Sequence, residues 1–200
     1  QARLKRASPI NAAMSRAVEL NTSRLRLRPW QEADKEPFAR LNADPEVMRF
    51  FPATQSREQS DRSIAVWQEE LDQRGWSNWA VERVLDGRFV GFVGLTVPRR
   101  VLPFTPCVEI GYRLAKEFWG LGFATEAGRE VLRYGFETLE LSEVVSFTAK
   151  LNLPSQAVMA RLGMVDARED FDHPALPEGS PLRRHCLYRL SRQAWSRGRS

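Results

Sequence analysis

The 200-residue chain predicts a mixed α/β domain with a mostly antiparallel sheet, and three observations carry that expectation. Short β-rich runs alternate with helix-periodic stretches along nearly the whole length. Early strand-like runs are joined by turn signals, among them the Asp-Gly of "LDGR", as an antiparallel hairpin requires. One long amphipathic helix then separates two strand-like runs, which is the crossover that a parallel pair needs.

Each element follows in order. "TSRLRLRPW" (22–30) alternates apolar and polar residues, with Leu25 and Leu27 on one face. "EADKEPFARLNADPEVMRFF" reads as a broken helix, with Pro37 in a first turn and Pro45 forcing a restart. "REQSDRSIAVWQEELDQRG" places Ile64, Trp67 and Leu71 in helical step and closes at Gly75. "WSNWAVERV", "FVGFVGLTV" and "CVEIGYRLA" (107–115) are strands. A helix over 124–139 carries Ala127, Val131, Leu132, Phe136 and Leu139 on one side. "EVVSFTAKLN" is a β-branched strand, and "PSQAVMARLG" a short helix between Pro154 and Gly163. A strand near 164–171, a proline-rich loop (174–181) and a final strand "HCLYRLSR" complete the order β α α β β β α β α β β. Residues 1–20 read as a flexible arm in which Met14 is a candidate natural start, 21–196 as one domain, and 197–200 as a tail.

Composition excludes several function classes. No run approaches 18 apolar residues, and the first 20 hold no signal-peptide core, so neither a membrane span nor a secretory leader is expected. Two cysteines, Cys107 and Cys186, sit inside strand-like runs; they make no disulfide framework and suit buried thiols in a reducing cytoplasm. The net charge is +5, but the 26 arginines and 4 lysines are scattered and no aromatic–basic signature is present, so no nucleic-acid partner is expected. Two histidines without a paired acidic cluster argue against a metal site, and no G-x-S-x-G elbow marks a serine hydrolase.

"FWGLGFATEA" (118–127) leads two glycines into a helix start. The first N–H groups of a helix lack intrahelical partners, and glycine lets backbone approach an anion closely. The stretch is therefore an anion cradle or a plain tight turn. It is not a Walker loop, because no Gly-Lys-Ser/Thr follows. It fits the Rossmann fingerprint poorly, with Thr125 at the third glycine position and a following strand that ends at Lys150.

With its flanks, "VEIGYRLAKEFWGLGFATEA" resembles the GNAT superfamily of acyl-CoA N-acyltransferases. Together with "TSRLRLRPW" and "NLPSQAVMARLGM" it is similar to the RimJ/RimL branch of ribosomal-protein N-terminal acetyltransferases, over about Leu20 to Trp195. Glu117 stands where the general superfamily pattern has Arg or Gln. The resemblance implies a GNAT-like fold in which a bulge splays strand 107–115 from its parallel neighbour 144–150, with flanking helices. It implies a pantetheine arm in that gap, paired with Tyr112, Arg113 and Leu114, and one strand amide polarising the thioester carbonyl. It places the pyrophosphate over Gly120, Leu121, Gly122, Phe123, Ala124 and Thr125. Asn152 matches a CoA-contacting residue and is equally a helix N-cap ahead of Pro154.

By the same resemblance Glu109, an acid within an apolar strand, faces the acceptor cleft and serves as general base; its plain alternative is a solvent-facing strand residue. Met159 occupies the place where many members carry a tyrosine acid. Ser155 is then a candidate donor to the leaving thiolate, or simply a first-turn serine. His173 is a candidate substrate or relay residue, and His185 a structural one. Trp30, Phe50, Phe51 and Trp76 line the acceptor pocket or fill ordinary core. The implied activity is acetyl transfer from acetyl-CoA to a primary amine, a protein N-terminus or a small molecule, by direct attack in a ternary complex without metal. A cytoplasmic enzyme is expected, and a homodimer is common for the resemblance. A non-catalytic acyl-CoA-binding or sensing domain and a basic nucleic-acid-binding module are the rival readings.

Overall fold

The computed structural model describes residues 18–198. Among these residues nine strands form one sheet in the order β1-β2-β3-β4-β5-β6-β9-β7, where β7 is Val165–Asp166, and β8 (Phe171–Asp172) pairs β9 as well. β1 (Leu20–Asn21), β2 (Leu25–Arg28), β3 (Asn78–Arg83), β4 (Phe89–Thr96) and β5 (Glu109–Leu114) are antiparallel neighbours. β6 (Glu143–Ala149) runs parallel to β5 and antiparallel to β9 (Arg184–Ser191). Helix α3 (Phe123–Glu137) makes the crossover between the parallel strands and covers one face, where Tyr134 meets Trp79 edge-on at 5.7 Å. Helices α1 (Lys35–Ala43) and α2 (Arg57–Arg74) cover the other face, bringing Phe38 and Trp67 to 6.0 and 4.7 Å from Phe92. α4 (Leu153–Arg161) follows β6, and α5 (Arg192–Arg197) follows β9.

Several expectations are corrected. The arm expected over 1–20 lies outside the described residues except for its last three, and these are packed: Leu20 is buried, and Trp79 Nε1 donates to Val18 O at 2.8 Å. Pro45 restarts no helix; Asp44 is extended, as a residue before proline tends to be, and single turns follow to Phe51. The strand expected near 164–171 is two pieces, β7 (Val165–Asp166) and β8 (Phe171–Asp172), along one edge of β9. Asp166 Oδ1 accepts from Arg168 N, and Arg168 adopts φ 57°, which breaks the ladder between them. Beyond β9 the chain adds α5, whose cap Ser191 accepts from Ala194 N and whose Trp195 packs 5.6 Å from Phe136. Arg197, assigned to the tail, is the last residue of that helix. Cys186 is buried but Cys107 is only half-buried.

Arg28 anchors the face under α1 and α2. Its guanidinium donates to both oxygens of Asp34 (2.7 and 2.9 Å) and to Glu82 (2.7 Å), and both Arg28 and Asp34 are buried. Removing one partner of a buried pair leaves an uncompensated charge, at a cost of about 3–5 kcal/mol. Because Glu82 stays in place, Asp34→Ala is expected near the lower end, a loss of about 3 kcal/mol in urea unfolding.

Candidate active site

The parallel pair decides the geometry. β5 and β6 share a single register pair, Glu109 with Val145, closed by Val145 N–H to Val108 O at 2.9 Å. Ser146 Oγ adds a bond to Ile110 O at 3.0 Å, and beyond it the two strands part. The bulge expected in β5 is absent: its register with β4 runs unshifted from Glu109–Thr96 to Leu114–Gly91. The splay comes instead from β6 leaving along its own ladder with β9.

Backbone parity then sorts the residues at the gap. Ala115 N–H bonds Val90 O at 2.9 Å, so Glu109, Gly111 and Arg113 turn their backbone groups to β4. Ile110, Tyr112 and Leu114 turn theirs toward β6. Leu114 O is taken by Trp119 Nε1 at 2.9 Å, which leaves the Tyr112 N–H and C=O and the Leu114 N–H facing the gap. Of the three residues expected to offer backbone there, Arg113 does not.

Past β5, Gly120 and Gly122 adopt φ 74° and 79°, a left-handed backbone that side chains resist. Gly122 is the N-cap of α3, and the first helical bond is Glu126 N–H to Gly122 O at 3.0 Å. The amides of Phe123, Ala124 and Thr125 consequently have no helical partner and form the positive end of a 15-residue helix. Arg24, a residue sequence reasoning passed over, lies beside this turn, its guanidinium 4.7 Å from the Phe123 ring and bound to Glu126. Its position follows from strand pairing far along the chain, which no local pattern announces.

One cavity of about 1050 Å³ joins these groups. Its walls include Glu109, Tyr112, Arg113, Leu114, Gly120, Gly122, Phe123, Ala124, Thr125, Asn152, Ser155, His173, Phe50 and Phe51. Leu121 points outward and lies off the wall. Trp30 is core: it is buried among Phe38, Trp67 and Phe89, and its Nε1 donates to Asn78 O at 2.8 Å. Trp76 also lies off the wall and stacks under Arg74 at 3.9 Å.

Asn152 is the N-cap of α4, accepting from Ser155 N at 3.3 Å while its amide donates to Thr148 Oγ1 at 2.9 Å. Ser155 Oγ lies 2.9 Å from Tyr112 Oη, a pairing the sequence did not reveal, and burial raises the Tyr112 phenol well above its usual range. Met159, in contrast, is buried core. His173 and His185 stack at 4.9 Å; burial, with His185 and Arg100 nearby, lowers His173 to about 4. Both rings are therefore neutral near pH 7. Glu109 has no ion-pair partner among the described residues, and burial lifts its carboxyl to about 8.

Residues 24–165 match the family described as an acetyltransferase (GNAT) domain. The chain belongs to the GNAT acetyltransferase family. It is therefore an acetyl-CoA-dependent acetyltransferase, as the sequence resemblance implies. It is 33% identical over 190 residues to an FsC-acetyl coenzyme A-N(2)-transacetylase of Aspergillus fumigatus, covering 89% of this chain and 78% of that one. A Bacillus subtilis protein named for ribosomal N-acetylation is 47% identical over 58 residues, 29% of this GNAT chain and 32% of its own. A GNAT-family acetyltransferase structure from Bacillus anthracis superposes with TM-score 0.73 at 21% identity, over 88% of this chain and 99% of that one. The Vibrio cholerae spermidine N-acetyltransferase, solved with CoA and spermine, gives TM-score 0.68 at 18% identity, over 88% and 99%, and shares the fold. Among the described residues no His, Cys, Asp or Glu group is placed to hold a metal ion, and no helix is long and apolar enough to cross a membrane.

The Glu109 carboxyl has a measurable consequence. Between the ordinary carboxyl range near 4.5 and about 8, the folded protein keeps a proton that the unfolded chain has lost. Stability therefore falls as pH rises through that window and levels off above it. Glu109→Gln removes the titration. Its melting temperature is expected to exceed the native one at pH 9, with the difference shrinking toward pH 4.

Proposed function

We propose that this GNAT enzyme moves the acetyl group of acetyl-CoA to a primary amine by direct attack in a ternary complex. The observation that carries this reading is a half-buried, unpaired carboxyl, Glu109, at the vertex where β5 and β6 part. The free amides of Phe123, Ala124 and Thr125, with Gly120 and Gly122, fit a pyrophosphate, and the Tyr112 and Leu114 groups fit an amide-bearing arm in the gap. When bound, acetyl-CoA supplies the acetyl group as an activated thioester.

The chain's own residues do the rest. Glu109 takes the proton that the attacking amine must shed, and its carboxyl range near 8 lies close to working pH, where a general base is efficient. The Tyr112 N–H, fixed by the β4 ladder, is the donor available to a carbonyl oxygen in the gap. Ser155 and Tyr112 present two adjoining hydroxyls on the α4 side; the phenol donates its one hydrogen to Ser155 O at 2.9 Å, which leaves the Ser155 hydroxyl as the donor that can turn to a departing sulfur. Asn152 holds the first turn of α4 and with it Ser155; its cap and any contact with CoA are compatible. The absence of a tyrosine at Met159 is met by the Ser155 hydroxyl. The acceptor is a primary amine, a small molecule or a protein N-terminus.

Because the base must be ionised, kcat/KM is expected to rise with pH and level off above about 8. Glu109→Gln is expected to lower kcat by about 10²–10⁴ and to flatten that rise, while calorimetric affinity for acetyl-CoA is retained. Full turnover in Glu109→Gln would remove the base, and failure of the native protein to bind acetyl-CoA would remove the reading as a whole.

A further inference from the structure

The acceptor end of the cavity is lined by charged groups of two kinds, those already paired and those left alone. Glu46 is held by Lys116. Glu70 is held by Arg74 (3.1 Å), Arg99 (3.2 Å) and Ser77 Oγ (2.6 Å). Four lining groups have no ion-pair partner among the described residues: the exposed Arg49, which lies over the Phe50 and Trp119 rings, the exposed Arg161 of α4, and Glu109 and Arg113 on β5.

Arg113 is held in place by neutral neighbours. Its Nη1 donates to Asn42 Oδ1 at 2.6 Å, and the Asn42 amide is fixed in turn by Ser60 Oγ at 3.0 Å. The guanidinium carbon lies 4.1 Å from the Phe51 ring centroid and 5.5 Å from that of Phe92, while Nε is buried without a partner. Burial draws this guanidinium down to about 10, with no acid near enough to oppose it. A preorganised, partly desolvated guanidinium on a cavity wall is an anion receptor, since its donors match a carboxylate and its charge is uncompensated until one arrives.

Strand parity sets where that anion would lie. Glu109, Gly111 and Arg113 share the face of β5 covered by α1 and α2. Gly111 stands between the other two, and a side chain added there would meet nothing within 4 Å. The Cα atoms of Glu109 and Arg113 are four residues, about 13 Å, apart along the strand, and their side chains flank this open floor. One end of the floor is a proton acceptor and the other a cation.

We propose that the acceptor carries a carboxylate near its reacting amine, and that Arg113 binds this carboxylate while Glu109 receives the amine's proton. The proposal rests on the acetyl-transfer reading and specifies its substrate class, a small amino-acid-like amine. An acceptor with only positive charge would leave the guanidinium uncompensated and add repulsion, so polyamines are disfavoured.

The test is calorimetric titration of the CoA complex with N-acetylglycine and with N-acetylglycinamide, using the native protein, Arg113→Met and Arg113→Lys. The native complex is expected to bind the carboxylate at least tenfold more tightly than the amide. Arg113→Met should erase the preference, and Arg113→Lys should keep part of it. Equal or undetectable binding of the two compounds by the native complex would overturn the proposal, as would a preference that survives in Arg113→Met. Weakened acetyl-CoA affinity in Arg113→Met, with the preference intact, would place the guanidinium on a CoA phosphate and also overturn it. Because the readout needs no turnover, failure of acetyl transfer would show separately, as absence of acetylated product from glycine and other amines.

Discussion

Everything at this site depends on two parallel strands that touch at one residue pair and then separate. A sheet normally pairs every interior backbone group, because a buried unpaired group costs about 1–3 kcal/mol. Here β5 is held on its far side by six register pairs with β4, and β6 by seven with β9. Those ladders keep the gap open without a bulge. The Tyr112 and Leu114 groups that face it are left without a strand partner, as the proposed binding of an amide-bearing ligand requires.

The same parting explains the electrostatics. Glu109 sits at the vertex, half-buried between neighbouring strands with no cation close by, so its carboxyl favours the protonated form. On the same face, Arg113 lies among rings and an amide and so is also short of compensation. At the gap's open end the α3 N-terminus adds a third site of one sign, made of backbone rather than side chains. Cation, acid and helix end are thus spaced along one strand and the turn that follows it, a layout that one short stretch of sequence encodes.

That compactness is why this part of the molecule was legible. Strand β5, the Gly120–Gly122 turn and the α3 stripe are local patterns with local physical causes; the turn lies where the sequence indicated, while β5 omits Cys107, Val108 and Ala115 of the expected strand and α3 ends before Leu139. What was missed depends on distant pairing. Trp30 was a pocket candidate whose plainer reading was ordinary core, and the packing of α1 and α2 commits it to the core. The Tyr112–Ser155 contact links residues 43 apart, and Arg24 reaches Glu126 across 102. The Arg113 side chain was invisible as a binding group because strand parity, not residue type, decides that its backbone faces β4 and its guanidinium faces the cavity.

The central claim, that the parted strands and the α3 N-terminus form one acyl-CoA cradle, is tested most directly by amide hydrogen exchange with and without acetyl-CoA. The structure predicts new protection at the Tyr112 and Leu114 amides together with Phe123, Ala124 and Thr125, while Arg113, already paired with β4, changes little. Protection confined to the turn, with Tyr112 and Leu114 exchanging as before, would contradict it.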